Sequence, residues 1–420
     1  MSSCTTRTHR GRATWLSTGA GSALLLLLLG VGRPAEAIPA FARSHNFSCT
    51  TCHQPFPRLK PYGEEFAGNA FAPSDAEGMP PRYFLDVGDD ALALLRDLPL
   101  GVRADLYADV QAGRDDRDDG FTDLKVPYGI KLLSGGRIAK NVGYYFYFYM
   151  SERGEVAGLE DAYLHFHQPF DLPVDLLIGQ FQVSDPLFKR ELRLTFQDYL
   201  LYKVRPGRSL TNLTYDRGLL LTTSLPTGTD LTAILVNGNG LGEADAREDY
   251  DFARGKLAMG RISQDLGPLR LGFFVFGGTE EQAPERGVSL QTNAPLLWGP
   301  DLTLAVERFE LNVQYLRRHD DNPWFLPVRG ETPREGITTD GLLGELLVDL
   351  TGNGGPVWLV VLANWVDSDE DRHDVQAYTG SLTWLWRSNL RLLAEYTYTR
   401  DRGGVQVDEH RGTLGLVSGF

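Results

Sequence analysis

Leu390-Arg-Leu-Leu-Ala-Glu-Tyr-Thr-Tyr-Thr399 alternates with a period of two, so Leu390, Leu392, Ala394, Tyr396 and Tyr398 share one face of an extended segment. Val102-Arg-Ala-Asp-Leu-Tyr-Ala-Asp-Val110 alternates in the same way. Gly143-Tyr-Tyr-Phe-Tyr-Phe-Tyr-Met150 carries aromatics on both faces, as a strand does when its inner face packs on something. From about Val102 to Phe420 roughly sixteen segments of about 8 to 14 residues repeat this reading, rich in aromatic and β-branched side chains. Leu290 to Trp298 is the weakest of them, because Pro295 interrupts it.

The connections alternate in length. Short ones are Ser134-Gly-Gly-Arg137, Pro226-Thr-Gly-Thr-Asp230, Ser263-Gln-Asp-Leu-Gly-Pro268, Gly352-Asn-Gly-Gly-Pro356 and Arg387-Ser-Asn389. Long polar ones lie between them: Gly113 to Gly120, Val183 to Asn212, Asn237 to Glu248, Gly277 to Arg286, Arg317 to Thr339, Asp367 to Asp374 and Arg400 to Glu409. Short turns at one end and long loops at the other predict an outer-membrane antiparallel β-barrel of about 16 strands, with both chain ends periplasmic. A soluble sandwich or propeller has no reason for that asymmetry. Leu414, Leu416 and Ser418 share a face just before a terminal Phe420, as in a last barrel strand. Lipid-facing aromatics of the girdles are expected among Tyr144 to Tyr149, Trp384, Trp386, Tyr396 and Tyr398.

The chain opens with Arg7, Arg10 and Arg12, an apolar core around Leu24 to Leu29, and Ala35-Glu36-Ala37, the order of a secretory signal cut after Ala37. That run is short for a membrane helix, and no later stretch approaches the roughly 20 apolar residues one needs. Residues 1–37 are therefore read as a signal peptide, 38–95 as a first small unit and 96–420 as the barrel. The formal charge is −14. The signal carries four arginines against Glu36, which leaves −17 on the remainder, so nucleic acid is not an expected partner.

Cys4 goes with the signal, which leaves Cys49-Thr50-Thr51-Cys52-His53. Two cysteines at this spacing could form a redox disulfide, bind metal or hold haem through two thioethers; the adjacent His53 selects covalent haem c. With three cysteines and eight histidines in 420 residues, the motif is rare by chance. Zinc would need two further ligands that are not nearby. Pro55, Pro57, Pro61, Gly63 and Gly68 predict loops and short turns around the cofactor. In this reading Cys49 and Cys52 carry the thioethers and His53 is the proximal ligand to iron. The sixth ligand stays open: Met79, the one methionine of this unit, would raise the potential; His45 would give bis-histidine ligation and lower it; neither is the third case.

Pro39-Ala-Phe-Ala-Arg43, the haem motif, Pro57-Arg-Leu-Lys-Pro-Tyr-Gly63 and Phe66 resemble the N-terminus of the fused outer-membrane cytochrome-porins, best known from iron-oxidising bacteria. His45-Asn46-Phe47 and Glu64-Glu65 depart from that pattern. The resemblance covers about 30 residues in motif, and the barrel in architecture only. It implies a small mono-haem cytochrome ahead of the barrel, passing single electrons between an extracellular donor, with Fe(II) a candidate, and a periplasmic c-type cytochrome or other carrier. A different class is a diffusion porin whose tethered haem serves as plug or as redox or gas sensor. A peroxidase-like enzyme ranks below both, since no distal Arg/His pair is evident.

Asp115, Asp116, Asp118 and Asp119, and then Asp367, Asp369, Glu370, Asp371 and Asp374 around His373, form acidic loop clusters. Carboxylate with imidazole suits divalent iron, although charged outer loops are ordinarily just solvated. His165 and His167 share a strand face near the short-turn end and are expected to line the lumen rather than to pair on a metal. No Ser-His-Asp array, phosphate loop or metalloprotease motif is readable.

Overall fold

The computed structural model describes residues 40–73, single positions between 85 and 96, 99–112, 120–251, 253–283, 289–327, 336–401, 403 and 407–420. The signal segment 1–37, Met79 and the acidic group Asp115, Asp116, Asp118 and Asp119 lie outside them.

The first strands are β1 (Leu100–Ala112), β2 (Phe121–Ala139), β3 (Val142–Glu152), β4 (Gly158–His167), β5 (Asp175–Gln182) and β6 (Tyr215–Ser224). They are followed by β7 (Thr229–Val236), β8 (Leu257–Leu266), β9 (Leu269–Gly278), and a small hairpin of β10 (Glu280–Gln282) and β11 (Gln291–Asn293). The last seven are β12 (Leu296–Val306), β13 (Phe309–Asp320), β14 (Ile337–Asp349), β15 (Val357–Ser368), β16 (Val375–Arg387), β17 (Leu390–Asp401) and β18 (Val407–Gly419). All but β10 and β11 form one closed antiparallel barrel of sixteen strands, in which β9 pairs with β12 and β18 returns to β1. Val102 and Phe420 exchange backbone hydrogen bonds of 2.6 and 2.8 Å at that seam, so both ends of the barrel chain meet at the short-turn end.

The alternation is inside out relative to a soluble protein. Leu219, Leu235, Ile262, Phe273, Val275, Val361, Leu382, Tyr396 and Leu414 are exposed on the outer surface, whereas Asp105, Asp109, Lys131, Gln314, Glu345, Asn364, Arg391 and Glu395 are buried inside. On β17 the face of Leu392, Ala394 and Tyr396 is the outer one and Arg391, Glu395 and Thr397 point inward. Apolar positions facing out and polar positions facing in place the protein in the outer membrane, with short turns periplasmic and long loops extracellular.

Two expectations need correcting. Ser134–Arg137 does not turn: β2 continues to Ala139, and the reversal falls at Lys140 and Asn141, where Asn141 takes a φ of 58°. In β3 only Tyr144, Phe146 and Phe148 take the outer face; Tyr147 and Tyr149 are buried and, with Tyr145, turn into the lumen. Those three tyrosines are not girdle residues, because the lumen at this height is filled and an aromatic ring can pack there. The interruption at Pro295 resolves simply, since β12 begins one residue later.

Candidate cofactor site

Residues 40–73 form three short helices: α1 (Ala40–His45), α2 (Cys49–Cys52) and α3 (Pro61–Gly68). Pro55 and Pro57 lie in the expected turns between α2 and α3, whereas Pro61, Gly63 and Gly68, also expected in loops, belong to α3. Pro61 occupies the first turn of α3, where a missing N–H costs nothing. Gly63 lies so close to α2 that a Cβ would stand 2.4 Å from the Cys52 carbonyl oxygen. Ser48 caps α2 by accepting from the Thr50 N–H at 3.4 Å.

This segment sits against the inner wall at the short-turn end. Cβ atoms added to Gly135 and Gly143 would lie 2.8 Å from the Phe41 ring and 2.9 Å from the Ala70 carbonyl, and one on Gly419 would lie 3.2 Å from the Phe56 ring. Arg137 donates to the Asn69 carbonyl at 2.9 Å. Arg58 reaches across to Glu310 on β13 and, at 3.2 Å, to Glu345 on β14. Burial would lower the Arg58 pKa, but the two glutamates outweigh it and hold the guanidinium firmly charged.

The connection 183–214 folds into the barrel rather than out into solvent. Val183, Leu194, Tyr199, Leu201, Tyr202 and Leu213 are all buried, and the wall satisfies the loop's backbone. Glu395 accepts the N–H groups of Phe196 and Gln197 at 2.7 and 2.9 Å, and Asn364 accepts that of Leu200 at 2.9 Å. Tyr199 donates to Glu345 at 2.8 Å, the same carboxylate that Arg58 engages. Lys189 of the loop pairs with Glu64 of α3. The sequence offered one signal for this: a connection meant for water does not ordinarily hold the run Tyr199-Leu-Leu-Tyr202.

Between segment, loop and wall lies a cavity of about 290 Å³. Cys49, Cys52 and His53 line it, with Phe41, Phe47, Phe56, Phe66 and Phe71 from the segment, Tyr145, Tyr147, Tyr163 and Tyr215 from the wall, and Asp185, Lys189 and Glu191 from the loop. Neither cysteine pairs in a disulfide, and burial pushes both thiol pKa values up. His53 Nδ1 lies 2.8 Å from the Pro57 carbonyl. A carbonyl only accepts, so the proton is on Nδ1 and Nε2 keeps its lone pair. Burial also lowers the His53 pKa, against the backbone bond to Pro57, which keeps the ring neutral. Two thiols, an oriented neutral imidazole and an aromatic enclosure fit a covalently attached haem, and they fit it better than a closed four-ligand zinc site.

His45 is not in this lining: its ring packs against Phe47 and Phe66, with centroids 5.4 and 5.1 Å apart. Among the described residues the lining holds no second imidazole and no thioether. In the acidic loop around His373 only Glu370, among the described residues, pairs with the imidazole, at 3.4 Å. Asp369 accepts from the Thr338 N–H, Glu370 from the Gly207 N–H, and Asp374 from the Ser368 N–H, at 2.8, 2.7 and 2.8 Å.

No family model and no curated protein matches the sequence. Solved structures do resemble the fold. An anion-selective porin from Comamonas acidovorans aligns with a TM-score of 0.52 at 11% identity, over 76% of this chain and 98% of its own. The in-vitro folded outer membrane protein OmpT of Vibrio cholerae, a trimer form, gives 0.51 at 10% identity over 76% and 99%. The outer membrane channel DcaP of Acinetobacter baumannii gives 0.50 at 13% identity over 76% and 97%. At these identities the likeness is one of fold: a porin-like sixteen-stranded outer-membrane barrel.

Proposed function

We propose that this barrel is an electron-transfer cytochrome-porin, in which one haem c is held by Cys49, Cys52 and His53 inside the lumen and single electrons pass between an extracellular donor and a periplasmic carrier. The observation that carries the reading is the meeting of both thiols and the Nε2-available imidazole in one aromatic-lined cavity within the barrel. When bound, the haem supplies a one-electron iron couple. The chain supplies the rest. Cys49 and Cys52 would hold the haem through thioethers, and His53 would offer it a ring already oriented by Pro57. Leu192 of the loop 183–214 and the wall tyrosines surround the site, and the polarity they set would tune the potential. Asn46, Ser48 and Thr50 beside the motif are exposed, leaving a periplasmic edge where a c-type cytochrome or other carrier can dock.

Fe(II) is the donor we favour, on the resemblance of the haem segment to the iron-oxidising cytochrome-porins. Oxidised protein mixed with Fe(II) without oxygen is expected to develop the reduced α-band; no reduction at the working pH would remove iron as donor. The closed sixteen-stranded, porin-like barrel supports a second reading, a diffusion porin whose tethered haem serves as plug or as a sensor of a gas or redox state. Carbon monoxide binding by the reduced protein without displacing a strong ligand, together with ion conductance in planar bilayers, would select that reading.

A further inference from the structure

β4 ends at His167 and β5 begins at Asp175, and the two residues stand opposite each other in the strand register. His165 lies two residues before His167 on the same lumen-facing side, with its ring buried. Both imidazoles converge on one carboxylate oxygen: His165 Nε2 is 3.1 Å and His167 Nδ1 2.7 Å from Asp175 Oδ1. Every pair of these three potential ligand atoms lies within 4.8 Å, and among the described residues this is the one group of its kind.

We propose that His165, His167 and Asp175 bind a single divalent transition-metal ion inside the periplasmic mouth of the barrel. Ligands held at about 2.0–2.1 Å around a tetrahedral ion stand about 3.3–3.4 Å from one another. The two contacts to Asp175 therefore need to open by less than an ångström, and the two imidazole nitrogens, within 4.8 Å of each other, to settle at the same spacing. Two imidazoles and one carboxylate select zinc, copper, nickel or iron over calcium or magnesium, which take oxygen. Three protein ligands leave coordination positions open, so the ion exchanges and can meet a solute, unlike one in a closed structural site. The strand ends are anchored: the His167 N–H donates to the Asn141 carbonyl at 2.8 Å. His167 and Asp175 are only half-buried, which gives an ion a way in. Tyr163, two residues before His165, lines the cavity of the cysteine motif, so the ion sits on the strand that walls it. The metal site stands whether or not that cavity carries haem.

The test uses the full chain purified from outer membranes in detergent, stripped with chelator and titrated with Zn²⁺, with bound zinc counted by elemental analysis and haem measured separately. Wild type is expected to take up one tight equivalent. His167→Ala and Asp175→Asn should weaken it by at least the ~10–100-fold that supporting residues alone are worth, while His319→Ala and His410→Ala leave it unchanged. Because His165 is buried, His165→Gln is judged only after heat-modifiability on gels shows a folded barrel. Failure of wild type to bind a tight equivalent, or full retention of it in His167→Ala and Asp175→Asn, would overturn the site.

Discussion

The lumen holds two spaces of opposite character on either side of the loop 183–214. One, of about 710 Å³, is lined by Arg103, Lys125, Lys131, Arg190, Arg193, Arg391 and Arg411 interleaved with Asp105, Glu191 and Asp198. The other, of about 290 Å³, is the aromatic cavity at Cys49, Cys52 and His53. Arg103 and Glu191 border both. In the first, burial pushes Glu191 up, but Lys131, Arg193 and Arg190 outweigh it and hold the carboxyl at about 2. Asp198 is likewise held far below its ordinary value by Arg193, Arg190 and Lys203, against burial. In the second, burial prevails: Asp185 is pushed up to about 6 despite Lys189. One barrel wall thus borders a larger space lined mainly by charged groups and a smaller one lined mainly by aromatic rings, and the loop between them separates the two.

The largest expected effect falls on the aromatic cavity. Cys49→Ser with Cys52→Ser should abolish covalent haem staining and the Fe(II)-reducible α-band, while the barrel stays heat-modifiable, because neither thiol bonds to the wall. Next comes the joint that ties the N-terminal segment and the loop 183–214 to the wall. Glu345→Gln leaves Arg58 with Glu310 alone and weakens the Tyr199 contact, and should destabilise the folded protein by about 1.5–3 kcal/mol, read from urea unfolding in bilayers. Gly63→Val drives a side chain into the Cys52 carbonyl, and about 1–3 kcal/mol of overpacking should appear as incomplete haem attachment at an unchanged barrel yield.

The smallest effect depends on pH. A carboxyl raised in the folded state binds its proton more tightly there than in the unfolded chain, so Asp185 adds stability as pH falls from above about 6 toward the unfolded value of about 3.9. Asp185→Asn should therefore be more stable than wild type by about 1–3 kcal/mol near pH 8, and the difference should close below about pH 4. A constant difference across that range would mean that the cavity side of the loop is wet.

The barrel was readable because its wall repeats. Leu390 to Thr399 alternates over ten residues, and each strand carries its own copy of that information. What fills the barrel was not readable in the same way. Tyr145, Tyr147 and Tyr149 carry no mark of direction, since an aromatic residue suits a lipid-facing girdle and a packed lumen equally. The inward course of 183–214 depends on Glu395, Asn364 and Glu345, which lie 146 to 199 residues away from their loop partners and accept backbone or hydroxyl hydrogen bonds that no local pattern announces. Cys49, Cys52 and His53 were legible because they are adjacent in sequence, and the structure brings them to one cavity. Asp175 was not legible as a partner of His165 and His167, because the β4–β5 register decides which residue stands opposite.

The central claim is that the cavity in the barrel holds one covalent haem. The intact mass of the protein from the outer-membrane fraction, taken after acid–acetone extraction, tests it most directly. The expected mass is that of the chain from residue 38 onward plus one haem; a mass equal to the bare chain would contradict haem attachment.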